Sequence, residues 1–173
     1  MYLSSNYIKK IHKTGFAWIF PGFGGKYRKI DVQVSQHIPP KHYRVEEEMK
    51  KFFDDLKVRI KNLPVFDEKI FVEKLIETLS WCHHKFLWIH PFKDYNGRLA
   101  RLLNNIVLLK VDLPPIELKV ETMSGRKKYI QALQDADNGN LKKLEKIIKT
   151  AFIESLNEVD SNIGQSFESK HFS

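Results

Sequence analysis

The chain has one cysteine, Cys82, among its 173 residues. A lone thiol excludes an internal disulfide framework and any cage of cysteines around a metal. Cys82 lies in an apolar helical stretch, which reads as a buried structural thiol rather than a nucleophile. No apolar run is long enough to span a bilayer. Residues Met1 to Ser5 lack the charged-then-apolar layout of a signal peptide. These absences lead us to expect a cytoplasmic protein of a reducing compartment with no membrane partner. The chain also lacks an internal repeat, a domain linker and a long run of one charge.

Hydrophobic residues make up 42% of the chain, enough for one globular domain with a sizeable core. We expect that domain over residues 1–160, with a flexible polar tail over 161–173. Lysine and arginine (29) exceed aspartate and glutamate (21), giving a formal net charge of +8. That balance favours anionic partners: nucleotides, nucleic acid or acidic protein surfaces. The positive residues are scattered, so a nucleic-acid partner rests on charge alone and is not expected.

The apolar spacing is mostly helical. Residues 6–13 read as a short helix presenting Ile8 and Ile11, with Asn6 as its cap. Pro21-Gly22-Phe23-Gly24-Gly25 breaks the chain. Tyr27, Ile30, Val32 and Val34 then suggest a short strand or β-hairpin, ended by Pro39-Pro40. Val45, Met49, Phe52, Phe53 and Leu56 fit an amphipathic helix from 45 to about 60. Asp67 can cap the next helix, whose broad apolar pattern from Ile70 to Phe86 reads as central and buried. Further helices are predicted from about Asn96, over 126–136, and from 141 to about 159. The class is therefore all-α, with one small β element.

One segment concentrates the chemistry: His90-Pro91-Phe92-Lys93-Asp94-Tyr95-Asn96-Gly97-Arg98-Leu99-Ala100-Arg101. Pro91 disfavours helix at His90, so the central helix should end there. A histidine titrates near neutrality and can take a proton from an attacking hydroxyl. Asp94 offers a hard oxygen ligand suited to Mg²⁺, which binds through one or two carboxylates plus phosphates. Asn96-Gly97 permits a tight turn whose amides converge on an anion, and the helix that follows adds partial positive charge. Arg98 and Arg101 share one helix face and can clamp a polyphosphate.

This segment resembles the signature of Fic-domain proteins (filamentation induced by cAMP, or Fic-Doc), of the single-domain bacterial type. That signature reads His-Pro-Phe-x-(Asp/Glu)-Gly-Asn-Gly-Arg-x-x-Arg. Eight fixed positions agree, and Tyr95 departs from the usual glycine. The likeness extends outward. His83-x-x-Phe86-x-x-Ile89 resembles the run into the motif, and Gly25-Lys26-Tyr27-Arg28 with Pro39-Pro40 resembles the family's β-hairpin flap. Tyr129-Ile130-Gln131-Ala132-Leu133 resembles the helix after the core, so the resemblance covers roughly residues 6–155.

The resemblance implies a helical bundle with a β-hairpin flap and a protein adenylyltransferase activity. In that reading AMP passes from ATP to a Ser, Thr or Tyr hydroxyl of a target protein, and pyrophosphate leaves. By position, His90 is the general base and Asp94 holds Mg²⁺. Asn96 and Gly97 form the anion nest beside Tyr95, and Arg98 and Arg101 contact the phosphates. Lys26, Tyr27, Arg28, Ile30 and Val32 belong to the flap that would add the target as an extra strand. Gly97 argues against the phosphate-transferring variant that carries lysine there.

Two other readings stay open on Tyr95. One is transfer of another nucleotide-derived or phosphate-containing group. The other is a non-catalytic module that binds a nucleotide or a partner. Many family members are restrained by a helix bearing (Ser/Thr)-x-x-x-Glu-(Gly/Asn). No N-terminal copy is expected, because the chain begins just before its first helix. Thr150-Ala151-Phe152-Ile153-Glu154-Ser155 resembles that motif, so Glu154 reads either as an inhibitory partner of Arg101 or as a plain exposed glutamate. An antitoxin chain or a homo-oligomer is the other regulatory partner the resemblance allows.

Overall fold

The computed structural model describes the backbone of residues 3–19, 21–66 and 70–171, and side chains as far as residue 161. Among the described residues six α-helices make the architecture: α1 (Ser5–Phe16), α2 (Val45–Lys61), α3 (Phe71–Ile89), α4 (Asn96–Lys110), α5 (Met123–Asp137) and α6 (Lys142–His171). A single 3₁₀ turn, His42–Arg44, leads into α2. One compact unit ends at Leu103 and a second begins at Asn104, so α4 runs through the boundary.

In the first unit α2 packs on α3, and α1 touches α2. The five apolar positions singled out on α2 are all buried. From α3, Leu75, Leu79, Cys82, Phe86 and Ile89 are fully buried against them. Each such side chain contributes roughly 1.5–3 kcal/mol when removed from water. Burial pushes the Cys82 thiol up to about 12, so it stays protonated and inert. Glu48 is the buried acid of α2, and it is paired with Arg44 at 3.4 Å and Lys85 at 3.6 Å.

In the second unit α5 packs on α6. Tyr129, Ala132 and Ala136 meet Leu144, Ile148, Ala151 and Phe152 as its buried residues. Thr122 caps α5 by accepting from the Gly125 amide at 3.0 Å. Helix α6 continues to His171, beyond the start of the expected tail. No described helix is long and apolar enough to cross a membrane.

Three sequence expectations need correction or relocation. The cap of α1 is Ser4, not Asn6: the Ser4 hydroxyl accepts from the Tyr7 amide at 3.3 Å, and the helix starts one residue earlier. The Asp67 cap lies outside the described residues. The expected β-hairpin is reduced to one antiparallel bridge, Val34 to His37, around a two-residue turn in which Ser35 has φ 55°. The cause is competition for the backbone. Arg28 takes the carbonyls of Ile30 and Pro40, and the Asp31 carboxylate takes the His42 amide. Pro39 and Pro40 have no N–H to give a ladder.

Candidate active site

Helix α3 ends where Pro91 requires. His90 is its C-cap, in the left-handed conformation with φ 49° and ψ 60°, and its amide donates to the Phe86 carbonyl at 3.1 Å. A non-glycine residue held there costs about 1–3 kcal/mol and persists only where its surroundings impose it. Burial lowers the His90 pKa, against a backbone hydrogen bond at Leu87 that raises it; the charges of Arg28 and His37 lower it further and Asp94 opposes them. Neutral imidazole is therefore favoured below the usual histidine range.

Phe92 anchors the loop. It is fully buried, its ring stacks on His12 with centroids 4.0 Å apart, and it meets Tyr27 edge-on at 5.2 Å. Asn96 then closes the loop on itself. Its buried carboxamide accepts from the Phe92 amide at 3.0 Å and donates to the Phe92 carbonyl at 2.9 Å. The Asn96 side chain is thus committed to the loop, and what it can offer a phosphate is its backbone N–H. The first helical bond of α4 runs from the Leu99 amide to the Tyr95 carbonyl. The amides of Asn96, Gly97 and Arg98 therefore precede any intrahelical acceptor and form a first turn suited to an anion.

The two arginines stand differently. Arg98 is exposed, with its guanidinium carbon 5.0 Å from the centre of the Tyr95 ring. The Arg101 guanidinium lies over the first turn of α4, where a Cβ on Gly97 would meet Nη1 at 3.9 Å. Below that turn, His83 is fully buried. Burial, helped by Arg101, pushes its pKa down to about 3, so it adds no charge. Asp94 is exposed, and its Oδ1 accepts from the Tyr95 amide at 2.6 Å.

Tyr95 takes φ 63° at the position where the resembled motif has glycine. Its ring stacks on Phe16 of α1, with centroids 3.9 Å apart and planes 13° from parallel. The hollow lined by His12, Phe16, Phe23, Lys93, Asp94 and Tyr95 measures only about 130 Å³. That is below the several hundred Å³ of a small-molecule site, so this aromatic seam is packing rather than a base pocket. The stacking, about 0.5–1.5 kcal/mol, offsets a left-handed penalty of about 1–2 kcal/mol. We expect Tyr95→Gly to lose both and change stability little. Tyr95→Ala keeps the strain and loses the ring, so it should be destabilised by the stacking it gives up, about 0.5–1.5 kcal/mol. Urea unfolding of the two variants checks this; equal midpoints would contradict the strain assignment.

His12 and Phe16 escaped the sequence reading, although they continue the Ile8 face at four-residue spacing. His12 Nδ1 accepts the Gly25 amide at 2.9 Å, and burial lowers its pKa against the pull of Asp94. The flap residues divide. Lys26 and Ile30 are exposed and Val32 is partly so. Tyr27 and Arg28 turn inward: Tyr27 beneath Lys9, whose Nζ is 4.1 Å from the ring centre, and Arg28 into the end of α3. In the second unit, Glu154 pairs with Lys119 at 2.9 Å, and the Thr150 hydroxyl donates to the Lys146 carbonyl at 3.0 Å.

Among the described residues, no group of three or more His, Cys, Asp or Glu is placed to hold a metal. A magnesium ion carried by phosphates needs only one or two carboxylates, and exposed Asp94 supplies one.

The profile of the Fic/DOC family matches residues 2–108. A protein adenylyltransferase Fic of Nematostella vectensis is 33% identical over 135 residues, which is 78% of this chain and 29% of that protein. The protein adenylyltransferase fic-1 of Caenorhabditis elegans is 31% identical over 140 residues, 81% of this chain and 25% of that one. This chain thus spans less than a third of those curated relatives. Among solved structures, residues 134–508 of C. elegans Fic-1 superimpose with a TM-score of 0.76 at 27% identity, covering 95% of this chain and 45% of that one. A Fic-domain signaling protein from Bacteroides thetaiotaomicron shares the fold, with a TM-score of 0.72 at 20% identity over 90% of this chain and 61% of its own. The helical fold, the loop at the end of α3 and these matches agree: the chain belongs to the Fic/DOC family.

Proposed function

We propose that this chain transfers AMP from ATP to a hydroxyl side chain of a target protein and releases pyrophosphate. The observation that carries the proposal is the placement of His90, favoured as neutral imidazole, at the end of α3, six positions before Asn96 begins the open first turn of α4. The target oxygen attacks the α-phosphorus, the bond from that phosphorus to the bridging oxygen breaks, and the hydroxyl proton passes to His90. The amides of residues 96–98 and the guanidinium groups of Arg98 and Arg101 hold the phosphates and stabilise the charge that develops on them. Asp94 would hold Mg²⁺, whose chemistry there is to neutralise the phosphates. The largely exposed stretch from Lys29 to Gln33, outside the Ile30 carbonyl that Arg28 takes, is where a target strand would be added. The names of the relatives support the same activity. A cytoplasmic location fits the single reduced thiol.

One observation favours a second reading. The Tyr95 amide is already bonded to Asp94, which removes one donor from the anion nest and could select another phosphate donor. ATP labelled on the α-phosphate in one sample and on the γ-phosphate in another, with Mg²⁺ and a cell extract, separates the two. Covalent α-label supports AMP transfer. Covalent γ-label would replace it with phosphoryl transfer, and neither label would leave a binding module.

Glu154 is proposed as a surface residue engaged with Lys119 rather than as an inhibitory partner of Arg101, and the ion pair supports this. Glu154→Gly should leave self-labelling by ATP within about twofold, the scale of a lost surface pair. A rise of tenfold or more would restore the inhibitory role.

A further inference from the structure

Arg28 reads from sequence as a residue of the flap that meets the target, yet it is buried. Its groups converge on the end of α3. Its amide donates to the Pro91 carbonyl at 2.9 Å, Nε to the His90 carbonyl at 2.8 Å, and Nη2 to the Ile89 carbonyl at 3.3 Å. The remaining donors reach the other way: Nη1 to the Ile30 carbonyl at 2.9 Å, and Nη2 to the Pro40 carbonyl. A helix C-terminus presents unpaired carbonyls with partial negative charge, and a guanidinium offers five donors in a rigid fork. One side chain thus ties the carbonyls of Ile89 and His90 at the end of α3 to those of Ile30 and Pro40 in the segment facing the target.

We propose that Arg28 is a positioning residue for His90. It holds three consecutive carbonyls around the base, keeps His90 in its left-handed conformation, and fixes it at one distance from residues 30–40. The inference rests on His90 being the base. Lysine would keep the charge and the bond from its amide to Pro91, but cannot span the other four acceptors with one ammonium group.

The test compares wild type with Arg28→Lys and Arg28→Met in three measurements. These are transfer of α-label at saturating ATP, ATP affinity by calorimetry, and the rate at which diethyl pyrocarbonate modifies His90, with His84 as the internal standard in the mass spectrum. Both variants should lose about 10- to 100-fold in kcat, the scale of a misplaced catalytic group. ATP affinity should stay within about twofold, and His90 should be modified several times faster while His84 is not. Should Arg28→Met fail to fold, Arg28→Lys carries the test. A kcat within twofold of wild type, or a loss of kcat matched by a loss of ATP affinity, would overturn the proposal. If wild type itself transfers no label, the function proposed above falls, and the His90 modification rate alone decides this one: an unchanged rate refutes it.

Discussion

His90→Ala should reduce transfer of α-label by about 10²- to 10⁴-fold, the usual contribution of a positioned general base. The fold should survive, because His90 caps α3 through its backbone amide, which alanine keeps, and its ring is not part of the apolar core. The activity of wild type carries a matching pH signature. The base must be neutral, so the rate falls as pH drops through the His90 pKa. Burial holds that pKa down, and Arg28 and His37 add to the effect. The acid limb of the kcat profile should therefore lie below about 6.5, the value of an unperturbed histidine. A limb above 7, or a His90→Ala enzyme with activity near wild type, would remove His90 from the reaction.

Phe92→Ala should be the most destabilising substitution in the loop. The ring is fully buried between His12 and Tyr27. Emptying such a site costs about 3–5 kcal/mol, because the neighbours collapse only in part. In a chain of this length that lowers Tm by roughly 6–20 °C. Activity should fall even below the new Tm, since both bonds of the Asn96 carboxamide end on the Phe92 backbone. Thermal unfolding followed by circular dichroism measures the first effect. A change under 1 kcal/mol would mean that the loop is anchored elsewhere.

The helices were legible because their burial is continuous. Val45 to Leu56 on α2 and Leu75 to Phe86 on α3 repeat at helical spacing, and each position lies in the core. The loop was legible because its residues are close in sequence and their chemistry is specific. The flap was not. Its alternating pattern promised a ladder, but pattern does not show that Arg28 and Asp31 would take the backbone partners first. Arg28 reads from sequence only as part of the flap, since arginine is rarely buried, and only the three-dimensional convergence of four carbonyls on its guanidinium reveals its inward place. The role of Phe16 depends on Tyr95 folding back onto α1, a contact 79 positions away in the chain.

The closed ring that Asn96 makes with Phe92 also bears on how this protein ages. An Asn-Gly step normally deteriorates when the glycine nitrogen attacks the asparagine side-chain carbon and expels ammonia. Here both ends of that side chain are held by the Phe92 backbone, and Gly97 is already wound into α4. The attacking nitrogen and its target carbon are kept apart for as long as the loop is closed. This Asn-Gly step, one of two in the sequence, thus becomes a record of opening: aspartate accumulating at position 96 would count the time the loop spends undone.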